Sequence, residues 1–187
     1  MQPLELIKKY YNPDSEAYKI LVTHSAAVAR KALDIAGKLT HLKLDMDFIF
    51  EAAMLHDIGI FKTKAPMFGC HGEAPYIAHG YLGMEVLKGE GLPRHALVCE
   101  RHVGMGLTAE DIKKLGISIP PRDMLPITLE EKLICYADKF FTKKRGNLSL
   151  EVPLNEIRKT IASYGEDKLK AFEEMRLFFE GLKATST

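Results

Sequence analysis

The stretch Glu51-Ala-Ala-Met-Leu-His-Asp-Ile-Gly-Ile60 decides how the rest of the chain is read. Its apolar residues, with Phe48 and Ile49 before them, recur at helical spacing and deliver an adjacent imidazole and carboxylate, His56 and Asp57, to Gly59, where the helix is expected to stop. Neighbours on a helix point about 100° apart, so this pair converges on one small volume only near a helix end, with partners supplied from elsewhere. A carboxylate buried beside a histidine in so apolar a segment is costly unless a metal or a paired network compensates it. On these residues alone the blander reading stays open, in which Asp57 caps a helix end and His56 fills space.

Upstream, Asp45 or Asp47 is placed to start this helix, and the small pair Ala52-Ala53 permits close packing. From Ser15, a capping residue, to about Leu39 the apolar positions Ile20, Leu21, Val28, Ala32 and Ile35 predict a long helix, with His24 on its apolar side. Taken singly, His24 reads as a core histidine. A short opening helix around Leu4, Leu6 and Ile7 is ended by Asn12-Pro13-Asp14.

Downstream, residues 60–78 carry Lys62, Lys64, Pro66, Gly69, Gly72 and Pro75 and predict a long irregular loop of the kind that often serves function. His79 opens a further helix, in which Gly80 and Gly83 lie on one side and suit close approach of a neighbour. Pro93 fits the first turn of a helix ending at His102, beside Gly104 and Gly106. A short helix over 109–115 leads to a proline-bearing connector, 116–126, as a cover or hinge. Thr128-Leu-Glu-Glu131 has capping-box spacing and begins a helix carrying Asp138 and running through Phe140-Phe141. The basic run Lys143-Lys144-Arg145-Gly146 then reads as that helix's C-terminus, slightly ahead of a phosphate-binding role. Two amphipathic helices, 153–163 and 166–182, complete the chain, and their stripe of Leu169, Phe172, Met175, Phe178 and Phe179 is either core or partner-facing.

At 187 residues the chain suits one domain, all-α because no β-type alternation is found, spanning 1–187 with its core over about 15–145 and C-terminal helices over 153–182. No apolar run reaches the roughly 20 residues that span a bilayer, and the start lacks a signal peptide's pattern, so no membrane association and a cytoplasmic location are expected. Lys and Arg number 26 against 25 Asp and Glu, a balance that predicts no general polyanion or nucleic-acid binding yet allows a small anionic substrate. Cys70, Cys99 and Cys135 are widely spaced, so neither a disulfide framework nor a thiolate zinc site is suggested.

Taken together, His24, His56-Asp57 and Asp138 resemble, in type, order and helical placement, the ligand set of the HD superfamily of metal-dependent phosphohydrolases. His56-Asp57-Ile58-Gly59 is also the tetrapeptide of its HDIG subgroup, and His79 and His102 resemble the additional ligands of dinuclear members, including the bacterial diadenosine tetraphosphatase branch. Arg101-His-Val-Gly-Met-Gly106 and Ala137-Asp138 look closer still to small HDIG proteins of bacteria and archaea.

The resemblance implies a single-domain helical bundle of the HD-domain type, holding one or two divalent transition metal ions: iron, manganese, cobalt or nickel. His24, His56 and Asp138 would hold one ion, His79 and His102 the other, and Asp57 would bridge, so that Asp57 and His56 are the catalytic pair and metal-bound hydroxide is the nucleophile. The implied reaction is hydrolysis of a phosphate ester or anhydride of a small nucleotide, with Lys62, Lys64, Arg94, Arg101 and Lys139 as candidate phosphate contacts. Unlike the cyclic-dinucleotide enzymes of the related HD-GYP type, which place a lysine directly after this tetrapeptide, the chain has Ile60. The resemblance leaves two alternatives, a dinuclear-iron oxygenase and a nucleotide-binding sensor without turnover. A homodimer is expected if the stripe on the terminal helices is left exposed.

Overall fold

A computed structural model describes residues 1–144 and 146–181, and among these the chain is built from nine α-helices and one minimal hairpin. The helices are α1 (Pro3–Tyr10), α2 (Glu16–Lys38), α3 (Met46–Leu55), α4 (His79–Gly89), α5 (Pro93–Arg101), α6 (Ala109–Leu115), α7 (Leu129–Asp138), α8 (Leu154–Ala162) and α9 (Glu166–Glu180). Ser15 caps α2 by accepting from the Tyr18 amide, and Asp45 rather than Asp47 caps α3 by accepting from Phe48. None of these helices is long and apolar enough to cross a membrane.

The core has three parts. Val28 and Ala32 of α2, Ile49 and Ala53 of α3 and Ile134 and Tyr136 of α7 meet Ile157 and Phe172 from the C-terminal helices. A second group joins Leu6, Ile7 and Tyr11 to Leu55, Ile58, Leu87 and Cys99, so the core begins before residue 15. A third, with Ile112 and Met124, lies beneath α6 and the connector. Phe172 and Phe179 stack around Tyr136, with ring centroids 5.3 and 5.9 Å away, which makes the C-terminal stripe core except for the exposed Phe178. Arg145 of the basic run, and the expected helix end at Leu182, lie outside the described residues.

Three local expectations are corrected. Residues 60–78 are not wholly irregular: Lys64–Ala65 (β1) pairs antiparallel with Cys70–His71 (β2), flanked by 3-10 turns over Ile58–Lys62, Pro66–Phe68 and Tyr76–Ala78. Strands of two residues are too short to show a period in sequence. At Thr128 only half a capping box forms, because the Glu131 carboxylate accepts from the Ile127 amide at 2.7 Å and pairs with Arg101; the reciprocal box forms at Thr108 and Asp111. Finally, α3 already stops at Leu55, and Gly59 lies in the following 3-10 turn.

Gly59 is there for space. A Cβ on it would overlap the His79 carbonyl oxygen and the Gly83 amide nitrogen and lie 2.8 Å from Gly83 Cα. A Cβ on Gly80 would lie 2.7 Å from the Cys99 carbonyl oxygen, and one on Gly83 would overlap the Cys99 sulfur. These three glycines let the turn after α3, the start of α4 and the end of α5 come into backbone contact. Tyr11 clamps the same turn, donating to Ile58 O at 2.9 Å and accepting from Phe61 N at 3.0 Å.

Candidate metal centre

Five elements meet around one buried point. His24 comes from the middle of α2, His56 and Asp57 from the end of α3, His79 from the first residue of α4, His102 from just past α5, and Asp138 from the last residue of α7. All six are buried, and they form two overlapping donor groups that share Asp57: His24, His56, Asp57 and Asp138, and Asp57, His79 and His102.

The two oxygens of Asp57 divide the site. Oδ2 faces His24 Nε2 at 3.3 Å and His56 Nε2 at 3.2 Å, whereas Oδ1 faces His79 Nε2 at 3.1 Å and His102 Nε2 at 3.4 Å. Asp138 Oδ1 closes the first group, 3.0 Å from His24 Nε2 and 3.3 Å from His56 Nε2.

Three imidazoles are oriented by one repeated device. Nδ1 of His56, His79 and His102 lies 2.7, 2.7 and 2.8 Å from the carbonyl oxygens of Ala53, Tyr76 and Cys99. A carbonyl only accepts, so each Nδ1 carries a proton, and whenever the ring is neutral its Nε2 lone pair points inward. The inward nitrogens of His79 and His102 are 3.1 Å apart, two acceptors facing each other. His56 Nε2 and both oxygens of Asp57 are buried without a well-formed hydrogen bond, the Lys143 ammonium near Oδ2 being the one cation that approaches them among the described residues. Unpaired acceptors converging in a dry pocket are disfavoured unless a cation lies among them. Nitrogen and carboxylate donors, with no sulfur, suit a divalent metal. The thiols of Cys99 and Cys135 do not join in: they turn to the carbonyl oxygens of His56 and His102, at 2.9 and 3.4 Å.

The electrostatics agree. Burial pushes the Asp57 carboxyl up, but the charges of His56 and Lys143, with smaller contributions from His102 and His24, outweigh it, and the group stays ionised well below the usual carboxylate range. Asp138 behaves alike, with Lys139 the main counter-charge to burial. Burial favours neutral His56, yet Asp57 and Asp138 draw a proton onto it and raise its pKa to about 9. Burial dominates at His102, which falls to about 3 and stays neutral.

The expected phosphate contacts are mostly elsewhere. Arg94 is exposed, bonded to Asp45 at 2.6 Å and stacked on Phe48. Arg101, next to His102 in sequence, points the other way into Glu131 at 2.9 Å, because successive side chains diverge at a helix end. Lys62, ending the 3-10 turn, and Lys64, in β1, are both exposed. Lys139 does reach the centre: its Nζ lies 2.7 Å from Asp138 Oδ2 and 2.9 Å from His102 O.

Sequence reasoning placed Lys143 in a basic helix end and missed its inward turn. Because α7 ends at Asp138 instead of continuing past Phe141, the irregular segment beyond it turns Lys143 inward, to within 2.6 Å of Asp57 Oδ2. Burial would favour its neutral form, but Asp57 prevails and the ammonium is stabilised. The hydroxyl of Tyr76 also meets Lys143, and its ring stacks on His79 at 4.7 Å.

The HD domain family model matches residues 21–142, which hold all six donors. An uncharacterised protein of Methanocaldococcus jannaschii is 38% identical over 129 residues, 66% of this chain and 69% of that one. A tRNA (cytidine(56)-2′-O)-methyltransferase of Thermoplasma volcanium is 30% identical over 83% of this chain, but the match spans only 40% of that enzyme. The enzyme of the same name from Picrophilus torridus is 31% identical over 75% of this chain and 36% of its own length. No solved structure matches at a significant level.

Proposed function

Because the chain belongs to the HD domain family, we propose that it is a metal-dependent phosphohydrolase that cleaves a phosphate ester or anhydride of a small nucleotide with water. The observation that carries this reading is Asp57, one carboxylate whose two oxygens face two separate sets of inward imidazoles. That arrangement suits two cations side by side, with His24, His56 and Asp138 around one and His79 and His102 around the other. Such a pair supplies Lewis-acid pull on phosphate oxygens and lowers the pKa of a water, so that a nucleophile exists near neutral pH. No thiolate competes, and imidazole with carboxylate suits manganese, iron, cobalt or nickel.

The chain's own residues do the rest. The carbonyl oxygens of Ala53, Tyr76 and Cys99 hold three imidazoles in one tautomer, so little reorganisation is needed when charge moves. Burial of all six donors keeps bulk water out, which strengthens every charge interaction inside. The partial exposure of the centre falls at Asp138, Lys139 and Lys143, an opening that favours a compact phosphate over a long polymer. Methyl transfer to tRNA is not carried over to this chain, since it spans less than half of each enzyme bearing that name.

The test is product release from diadenosine polyphosphates, nucleoside mono- and triphosphates, cyclic dinucleotides and short RNAs with phosphorylated ends. Manganese, iron, cobalt and nickel are added separately, with Asp57→Ala as control. One substrate class should turn over and fall to background in the control. Folded, metal-loaded protein that hydrolyses none of them would refute the reading.

A further inference from the structure

Lys143 and a metal ion want the same atom. The ammonium lies 2.6 Å from Asp57 Oδ2, the oxygen that also faces His24 and His56 and that any ion held by those residues must use. Lys139 is placed differently. It takes Asp138 Oδ2, whereas the oxygen of Asp138 that faces His24 and His56 is Oδ1, and a second bond to His102 O anchors it. A metal can therefore enter beside Lys139 but not beside Lys143 as it stands.

Charge leads to the same conclusion. Asp57 and Asp138 are already balanced by Lys139 and Lys143, so with neutral imidazoles each added dication leaves an uncompensated double charge in a buried site. Such charge is costly in a low-dielectric interior and is relieved by moving an ammonium outward or by bringing in an anion. Lys143 allows both. It sits in an irregular segment, at the partly exposed edge of the centre beside the Tyr76 hydroxyl, on a flexible four-carbon stem that needs no backbone movement to withdraw.

Resting on the phosphohydrolase reading, we infer that Lys143 is the residue that recognises the substrate's phosphate. Metal entry displaces its ammonium from Asp57, and the displaced ammonium then binds a phosphate oxygen at the mouth of the site. One side chain thus fills the metal-free centre and greets the anion once the centre is loaded.

The experiment uses the whole chain and needs no turnover. Manganese is titrated into metal-free wild type, Lys143→Met and Lys143→Arg, and inorganic phosphate is then titrated into each manganese-loaded protein. Removing a competing charge-assisted bond should tighten manganese binding in the Met variant by roughly tenfold or more, and losing a charged contact should weaken phosphate binding by about ten- to a hundredfold. The Arg variant should stay within a few-fold of wild type in phosphate affinity. Circular dichroism checks the fold, and Lys143→Gln replaces the Met variant if that one unfolds. Manganese binding that is unchanged or weaker without the ammonium overturns the displacement, and equal phosphate affinity overturns the recognition role. In both cases the hydrolase reading survives. Wild type that binds none of manganese, iron, cobalt and nickel overturns the hydrolase reading and this inference together.

Discussion

Replacing Gly59 by alanine tests whether the backbone contact between the turn after α3 and the start of α4 builds the site. The added methyl would overlap the His79 carbonyl oxygen and the Gly83 amide nitrogen, and would lie 2.8 Å from Gly83 Cα. These are backbone atoms, so no rotamer change relieves the clash, and α4 must move as a body. Overpacking of this kind costs about 1–3 kcal/mol and occasionally more. Three backbone atoms on one methyl place Gly59→Ala near the upper end, about 3 kcal/mol, which for a chain of this size lowers Tm by roughly 6–12 °C. The displaced element carries His79, which faces Asp57 Oδ1, so metal stoichiometry should fall as well. Gly37→Ala is the control: it lies in the last turn of α2 with nothing within 4 Å of an added Cβ, and should be neutral or gain up to about 0.5 kcal/mol. Thermal unfolding with and without manganese, together with a manganese titration, reads both effects. Gly59→Ala within about 1 kcal/mol of wild type, with unchanged stoichiometry, would refute the reasoning.

Other outcomes follow from the same geometry. In metal-free protein His56 has a pKa raised to about 9 from an ordinary value of 6.5, so its stabilising protonation is complete below 6.5 and lost as pH rises through 9. Metal must displace that proton; calorimetry at pH near 7.5 in buffers of different ionisation enthalpy should show about one proton released, with affinity rising with pH and levelling above 9. Phe172→Ala should cost about 3–5 kcal/mol and Phe178→Ala close to nothing in chemical denaturation, since the first ring is wholly buried and the second is 49% exposed. Glu131→Ala strands Arg101 and the Ile127 amide and should cost about 2–3 kcal/mol, whereas Arg94→Ala, whose side chain is 54% exposed, should cost under about 1 kcal/mol; neither should shift manganese affinity.

The helices were legible because each rests on local signals: a capping Ser15 or Asp45, Pro93 in a first turn, and apolar residues at helical spacing. The convergence of His24, His56, Asp57, His79, His102 and Asp138 was legible only through resemblance, since no spacing rule brings five elements to one point. The inward position of Lys143 was not legible. Its neighbours Phe140 and Phe141 continue the apolar pattern of α7, and only their packing beyond the helix end shows that the backbone has already turned. Arg101 failed for the opposite reason: adjacency to His102 suggested a shared site, but a helix end sends adjacent side chains apart.

That divergence explains why the donors sit where they do. A helix leaves its last four carbonyl oxygens without internal partners. Ala53 and Cys99 belong to the final turns of α3 and α5, and their carbonyl oxygens take the Nδ1 protons of His56 and His102, just beyond those ends. The helix end thus loses an unsatisfied acceptor, and the histidine gains a fixed tautomer with its Nε2 lone pair facing the centre. His79 obtains the same result from Tyr76, through the 3-10 turn that leads into α4. A histidine in mid-helix lacks this option, because the carbonyl oxygens around it are already bonded. His24, in the interior of α2, is the exception that fits: its Nδ1 is buried without a hydrogen-bond partner, and among the hydrogen bonds and ring contacts of the described residues its ring meets only members of the cluster, Asp57 and Asp138 at Nε2 and the His56 ring. Its orientation therefore depends on the cluster itself. His24 should be the first imidazole to lose its order when metal is removed, to be seen as the earliest histidine Nδ1 and Nε2 resonances to broaden in nitrogen-15 spectra of the metal-free protein. If His56, His79 or His102 broadens before it, the carbonyl anchors do not set the order of the site.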